Sequence, residues 1–391
     1  MEEAPWYYIS AGEPSGDLLA GELVAALRET LPGYRPFGVV GASMRRAGVE
    51  ELAGIEDLSV MGFVDVLRHL APIRMLEGVL LTDIARRRPA FAVLVDYPGF
   101  HLRVADYLRL LGIPVFQYVA PQLWAWGEGR TARLKKVTDR VLGIMPFEEE
   151  FFASRGVNYT YVGTPQVDRA RQTKGERADF GLDAGETVVG FFPGSRRGEI
   201  SRILPPMLGC LPALRRQLPH VRVMVSAAPF VAPELFRDLL GLPDTPVFDG
   251  NGLCSLPQGI TLVRGNSLAL MGVCDAALVT SGTATLECAL SGTPMAVMYV
   301  AGALTWAIAK RVVDVPHISL VNLVAGRGIV NEYVQEFSGD EVGQDLAGLA
   351  SDPERIRAME GDLADLYGRL QGDPAGHAAR VIRDHLAGAT A

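Results

Sequence analysis

The chain has little of the chemistry that marks a metalloprotein or a disulfide-built domain. Only four cysteines occur in 391 residues, Cys210, Cys254, Cys274 and Cys288, and no pair has C-x-x-C spacing. A disulfide framework is therefore excluded, and reduced, structural thiols in a cytosolic protein are expected. The six histidines include no H-x-x-x-H pair, so a histidine-held metal is not expected. No two aspartates are separated by a single residue, so the D-x-D clamp for a divalent ion is missing and no metal or other cofactor is predicted. No apolar run reaches the roughly 20 residues of a membrane span. The chain enters Trp6-Tyr-Tyr-Ile9 with no basic leader, and no signal peptide is expected. Basic charge is short as well: 37 Lys and Arg against 45 Asp and Glu give a net charge of −8. A global nucleic-acid-binding face is not expected on such a surface, although local basic clusters remain possible.

What is present suits a globular chain of two or three domains, with 49% hydrophobic and 21% charged residues. The stretch from Asp275 to Glu287 organises the rest. Ala276 to Val279 is an apolar run long enough for a buried strand. Thr280, Ser281, Gly282 and Thr283 are turn and N-cap residues, and Ala284 to Leu290 are good helix formers. Such a strand, turn and helix aims backbone N–H groups and the helix dipole at one spot, which suits a phosphate or diphosphate. Glu287, one turn further in, could accept from a ribose diol. An ordinary capped β-turn-α unit would carry the same residues.

The N-terminal half repeats that logic. Trp6 to Ser10 reads as a strand, Ala11-Gly-Glu-Pro-Ser-Gly-Asp17 as a loop, and Leu18 to Leu31 as a helix. Glu13, Ser15 and Asp17 are either polar ligands or, for Ser15 and Asp17, caps of that helix. Phe37 to Gly41 is a second strand. Val60 to Ala85 keeps helical spacing but is too apolar for one face, and Arg68, Arg74 and Arg86 to Arg88 rim it. It is either a membrane-interface segment or a helix pair buried between domains. Ala90 to Val95 is an apolar strand that ends in Asp96, and an aspartate at the carboxyl end of a parallel strand belongs in the ligand crevice. The strand Pro114 to Val119 runs into a loop with Trp124 and Trp126. Arg140 to Met145 is a strand, Phe147 to Arg155 a helix and Tyr159 to Val162 a final strand.

A polar stretch after Gly163-Thr-Pro165 marks a boundary near 165–180. Strands at Thr187 to Phe192, Val221 to Ser226, Ile260 to Arg264, Ala276 to Val279 and Met295 to Val300 alternate with helices, including Ala303 to Val312, and Ser351 to Leu386 is helical by spacing. The predicted fold is α/β: two Rossmann-like domains, residues 1–165 and 180–350, facing a central cleft, with C-terminal helices (351–391) packing back on the first.

Nine segments then recur together: Ala11-Gly-Glu-Pro-Ser-Gly-Asp17, Val60-Met-Gly62, Asp96-Tyr-Pro-Gly-Phe100, Tyr118-Val-Ala-Pro-Gln-Leu-Trp-Ala-Trp126, Pro146-Phe-Glu148, Val162-Gly-Thr-Pro165, Pro193-Gly-Ser-Arg196, Ser281-Gly-Thr-Ala-Thr-Leu-Glu287 and Asn322-Leu-Val-Ala-Gly-Arg327. In this order and over nearly the whole chain they resemble the lipid-A-disaccharide synthase family, inverting glycosyltransferases of the two-Rossmann-domain (GT-B) type. The chain departs from the family at Gly99 and His101, where many members carry an acidic residue and an asparagine, and at Pro14, which replaces a small residue.

The resemblance implies transfer of 2,3-diacylglucosamine from UDP to 2,3-diacylglucosamine 1-phosphate (lipid X), with formation of a β-1,6-linked disaccharide 1-phosphate and UDP. The first domain would take the acceptor and the second the UDP-sugar. Inversion needs a carboxylate opposite the leaving group, a role that falls to Asp96, with Glu13 as its catalytic neighbour. Arg196, Arg327 and the turn Ser281, Gly282 and Thr283 would meet the diphosphate. Glu287 would take the ribose, and Asn322 and Gln335 polar contacts to nucleotide or sugar. Phe63, Leu67, Trp124 and Trp126 would face acceptor or membrane, with the protein in the cytoplasm, peripheral to the inner membrane. The rivals are another GT-B enzyme, such as a UDP-N-acetylglucosamine transferase or epimerase, and a non-catalytic sugar-nucleotide-binding homologue.

Overall fold

Runs such as Phe91-Ala-Val-Leu-Val95 and Val188-Val-Gly-Phe-Phe192 are apolar at every position, the pattern of strands covered on both faces. They lie at the centres of two separate sheets in the computed structural model, which describes residues 4–59, 70–302, 306–307, 310–311 and 315–389. The chain divides into one unit of Met1–Pro165 with Gln371–Ala391, and another of Gln166–Leu370.

The first unit holds seven strands: β1 (Trp6–Ala11), β2 (Arg35–Val40), β3 (Glu50–Gly54), β4 (Phe91–Val95), β5 (Val115–Tyr118), β6 (Arg140–Gly143) and β7 (Tyr159–Tyr161). All pair in parallel in the order β3-β2-β1-β4-β5-β6-β7. Strand order reverses between β1 and β4, where Ala11 stands beside Val95. Aromatic rings stack through this core, with Tyr7 on Phe91 at 4.9 Å between centroids. The final helix, Pro374–Ala389, lies against Pro14–Thr30 and places Ala378, Ala379 and Ile382 in the same core.

In the second unit the strands are β8 (Val188–Phe192), β9 (Arg222–Ala227), β10 (Leu253–Leu256), β11 (Ile260–Arg264), β12 (Ala276–Thr280), β13 (Met295–Tyr299) and β14 (Glu332–Val334). Their order is β10-β11-β9-β8-β12-β13-β14, with only β10 antiparallel. Here the reversal falls between β8 and β12, and Phe192 pairs with Val279. Crevices for ligands in open α/β sheets open at the carboxyl ends of the strands flanking such a reversal.

The differences from the expected elements are local. Strands β3 and β10 are absent from the sequence reading because each is a short edge strand with polar residues, Glu50 and Glu51 in one, Ser255 in the other. The tail is two helices, Pro353–Arg369 in the second unit and Pro374–Ala389 in the first, divided at the Gly372-Asp-Pro374 turn. Of the expected helix Val60 to Ala85, the described part is Leu70–Arg87, while Phe63 and Leu67 lie outside the described residues. Much of Ala303 to Val312 lies outside them as well.

Candidate active site

In the first unit the loops after β1 and β4 meet at the reversal. A Cβ on Gly12 would fall 2.3 Å from Cγ of Tyr97, so only glycine lets the first loop lie on that ring. Asp96 and Tyr97 are consecutive left-handed residues, with φ of 53° and 50°. For non-glycine residues each costs on the order of 1–2 kcal/mol. Tyr97 is the N-cap of helix Pro98–Leu110 and makes no side-chain cap bond. The Asp96 carboxyl is half-buried, and that burial pushes its pKa up. The Tyr97 N–H opposes this shift, and the charge of nearby Glu13 adds to it. Glu13 itself is the N-cap of helix Pro14–Thr30.

The backbone at Asp96 is bracketed from beneath. Its carbonyl accepts from His101 Nδ1 at 2.7 Å and from Gln117 Nε2 at 3.3 Å. The same Gln117 nitrogen donates to Val119 O at 3.2 Å, and Val119 is a third left-handed residue, φ 66°. His101 Nε2 lies 2.9 Å from Ser10 Oγ on β1. His101, Gln117 and Ser10 are all buried. Gln117 had a sequence signal that went unused: it is the one amide inside the apolar strand β5.

Asp17 departs from its expected place. It does not cap its own helix. Its buried carboxylate accepts from the backbone N–H groups of Gly41, Ser43 and Met44 at 2.8, 2.7 and 3.1 Å, so it closes the start of helix Ala42–Arg46. Ser15 is exposed and is not the cap either. Trp124 packs edge-on against Phe147 and donates from Nε1 to Glu148 Oε1 at 3.0 Å. Trp126 is exposed, with the Arg130 guanidinium 4.2 Å above its ring. Glu148 received no role from the sequence, where it only closes the Pro146-Phe-Glu148 segment at the start of an expected helix. In the structure Glu149 and Glu150 are exposed, while Glu148 is buried and its pKa is pushed up to about 8 by desolvation.

In the second unit the loops after β8 and β12 flank the other reversal. Arg196 is the exposed N-cap of helix Arg197–Gly209. Gly194 has a φ of 107°, and Glu199 Oε2 accepts from Ser195 N at 3.0 Å, which fixes the turn before the arginine. Across from it, Gly282 takes a φ of 147° as N-cap of helix Thr283–Leu290. Ser281 Oγ donates to Ile318 O at 2.8 Å, and Thr283 is exposed at the helix start. Glu287 is half-buried. Among the described residues its carboxylate accepts no hydrogen bond, burial pushes its pKa up and the charge of Arg169 pulls it down.

Three other expected contacts are already engaged within the protein, two of them turned inward. Asn322 is buried: Nδ2 donates to Val330 O and Glu332 Oε1 at 2.9 and 2.8 Å, and Oδ1 accepts from Ile329 N and Val330 N at 2.8 and 3.0 Å. All four positions of its amide are spent on folding the loop that carries Arg327. Gln335 likewise brackets Ala301, accepting from its N–H at 3.0 Å. Arg327 is exposed and ion-paired with Asp362.

Similarity to known proteins follows the same lines. Residues 7–359 match the family model described as lipid-A-disaccharide synthetase. A lipid-A-disaccharide synthase of Trichlorobacter lovleyi is 38% identical over 375 residues, 94% of each chain. One from Anaeromyxobacter sp. (strain K) is 39% identical over 381 residues, 97% of this chain and 96% of that one. Among solved structures, the glycotransferase of kitacinnamycin superposes with a TM-score of 0.62 at 18% identity, over 98% of this chain and 99% of that one, a likeness of fold. With its motifs at both strand-order reversals and relatives this similar over nearly their full length, the chain belongs to the lipid-A-disaccharide synthase family, glycosyltransferases of lipid A synthesis built on two Rossmann-like α/β units.

Proposed function

We propose that this enzyme moves 2,3-diacylglucosamine from UDP to the 6-hydroxyl of 2,3-diacylglucosamine 1-phosphate, inverting the anomeric carbon and releasing UDP. The observation that carries the assignment of roles is the pairing at the two reversals: Glu13 and Asp96 follow adjacent strands in one unit, Arg196 and Ser281 to Thr283 follow adjacent strands in the other. The first unit carries the acceptor-side carboxylates and the second the phosphate-binding groups. Asp96 takes the proton of the acceptor hydroxyl, with Glu13 beside it as a second carboxylate. Arg196 and the N-terminus of helix Thr283–Leu290 stabilise the departing diphosphate. Glu287 suits the ribose diol because it is a half-buried acceptor that no described group satisfies. Asn322 and Gln335 serve the nucleotide indirectly, by shaping the loops at 322–330 and 299–301. The test is release of UDP from UDP-2,3-diacylglucosamine by the purified protein. UDP should appear only when 2,3-diacylglucosamine 1-phosphate is added, and EDTA should not suppress it. Turnover of UDP-N-acetylglucosamine instead would favour the rival enzymes.

For the nucleotide, Arg196→Ala and Arg327→Ala are each expected to weaken UDP binding. A charge-assisted contact is worth about 1.5–3 kcal/mol, or roughly ten- to a hundred-fold in affinity. Arg327 should stand at the low end, because it must give up Asp362 to reach a phosphate. Calorimetry that finds both variants binding UDP like the wild type would put the diphosphate elsewhere.

Acyl chains on both substrates call for a membrane surface. Among the described residues no helix is long and apolar enough to cross one. Helix Leu70–Arg87 nevertheless leaves Met75 74% and Val79 55% exposed, one turn apart on one face. Peripheral association at the cytoplasmic side of the inner membrane, through residues 60–81 with Phe63 and Leu67, accounts for that exposure. Replacing Phe63, Leu67, Met75 and Val79 together by Ser should cut sedimentation with anionic liposomes several-fold and leave UDP affinity intact. A wild-type protein that ignores liposomes would rule this out.

A further inference from the structure

We propose that His101 and Gln117 are positioning residues for Asp96: together they hold its peptide carbonyl, and with it the left-handed turn that sets the direction of the carboxylate. This rests on the reading of Asp96 as the base. The hydrogen-bond roles are fixed by the partners, since a carbonyl oxygen only accepts. His101 must therefore carry its proton on Nδ1, toward Asp96 O at 2.7 Å. Nε2 is then the acceptor, and the Ser10 hydroxyl donates to it at 2.9 Å. Burial pushes the imidazole pKa down to about 4, so this neutral tautomer persists across the working range. Gln117 is fixed by the same reasoning. Its Nε2 faces two carbonyls, Asp96 O and Val119 O, so the amide nitrogen points at both.

The consequence is mechanical. Asp96, Tyr97 and Val119 all have positive φ just past the carboxyl ends of the neighbouring strands β4 and β5, and none is glycine. Such a turn relaxes unless its neighbours over-determine it. The ladder holds Asp96 from one side only, through Asp96 N to Tyr118 O at 2.9 Å. His101 and Gln117 hold the other end of the same residue. Ser10 anchors the imidazole to β1, so the direction of Asp96 is referred to the centre of the sheet. Neither side chain need touch a substrate; both act through the base. The groups near the Asp96 carboxyl that could also affect its titration are Glu13 and the Tyr97 N–H.

The test compares His101→Leu, His101→Asn and Gln117→Met in the acceptor-dependent assay, with Asp96→Asn alongside. Asparagine can place its Nδ2 where His101 Nδ1 lies and so keep the bond to Asp96 O. A misdirected base of ~1 Å typically costs about a hundred-fold. His101→Leu and Gln117→Met should therefore lower kcat by tens- to a hundred-fold, with UDP affinity and the KM for the donor unchanged. The acidic limb of the kcat–pH profile should move toward lower pH as the loosened carboxyl gains solvent. His101→Asn should recover most of the rate and the wild-type pH profile. Equal impairment of His101→Leu and His101→Asn, a wild-type kcat in His101→Leu and Gln117→Met, or losses that track the unfolded fraction by circular dichroism would each overturn the proposal. If Asp96→Asn is fully active, the base reading falls and this one with it. If Asp96→Asn is dead while His101→Leu and Gln117→Met are not, only the positioning role is lost.

Discussion

Asp96→Asn is expected to lower kcat by ~10²–10⁴-fold, the usual cost of losing a positioned base, while UDP binds as tightly as before. The substitution is unusually clean at this position. Asparagine tolerates the left-handed region at least as well as aspartate, so the φ of 53° need not change. The backbone carbonyl that His101 and Gln117 hold is untouched. What disappears is the proton-accepting charge alone. A helix-capping role would predict near silence, because asparagine is a good cap. The cap position here belongs to Tyr97, however, so no capping loss can mimic a catalytic one. The pH dependence has a definite sign. Burial, with the charge of Glu13, raises the Asp96 pKa, so the active carboxylate is lost as pH falls through that raised value. The acidic limb of the wild-type profile should therefore stand above the ordinary aspartate range. A kcat near wild type for Asp96→Asn would move the base to Glu13. It would not move to Asp17, whose carboxylate already carries three backbone N–H groups.

The order of strands and helices was legible because most of the buried parallel strands are largely apolar runs, and β1, β2, β4, β8, β11 and β12 are followed at once by Gly, Asp, Pro or Ser. That pattern put Glu13, Asp96 and Ser281 to Thr283 in loops at strand ends, whereas the strand order that makes two of those ends reversals did not follow from it, and Arg196 came from the family resemblance. Edge strands such as β3 and β10 escaped, since they are short and carry polar residues, Glu50 and Glu51 in one and Ser255 in the other. Burial of single polar residues escaped too. Asp17 and Asn322 look like ligands in a sequence, as polar residues in ligand-edge loops do. Only the positions of Gly41, Ser43 and Met44, or of Ile329 and Val330, reveal that their hydrogen-bonding capacity is already spent. The reverse holds for Glu148, where two exposed glutamates beside it disguise a buried acid.

Glu148→Gln is expected to fold and to flatten the pH dependence of stability, whereas Glu148→Ala should unfold much more readily. The Tyr159 hydroxyl lies 2.7 Å from Met145 O and 2.9 Å from Glu148 Oε2, yet it has one hydrogen. Met145 O can only accept, so that hydrogen goes to it. Glu148 must then supply the proton between Oε2 and Tyr159 Oη, while Oε1 accepts from Trp124 Nε1 at 3.0 Å. The geometry thus calls for a neutral acid, in keeping with a pKa pushed up to about 8 from the ordinary 4.5 by desolvation. Between those two values the folded chain holds a proton that the unfolded chain has released. Stability is therefore greatest on the acid side of that window and falls as pH rises through it, by at most ~1.4 kcal/mol per unit from this group. Above the folded pKa the fall from this group ends. Glutamine keeps the same pattern at every pH, its Oε1 accepting from Trp124 and its Nε2 donating to Tyr159. It should therefore match the wild type near pH 5 and exceed it at pH 8 in urea midpoint. Alanine strands the part-buried Trp124 N–H, leaves a cavity where the buried Glu148 side chain was and should cost about 2–5 kcal/mol at both pH values. Because Trp124 sits in the Ala120–Trp126 loop at the carboxyl end of β5, that loop should loosen with it. Urea titrations at the two pH values decide the matter: a glutamine variant as unstable at pH 8 as the alanine one would show that Glu148 is held as a carboxylate after all.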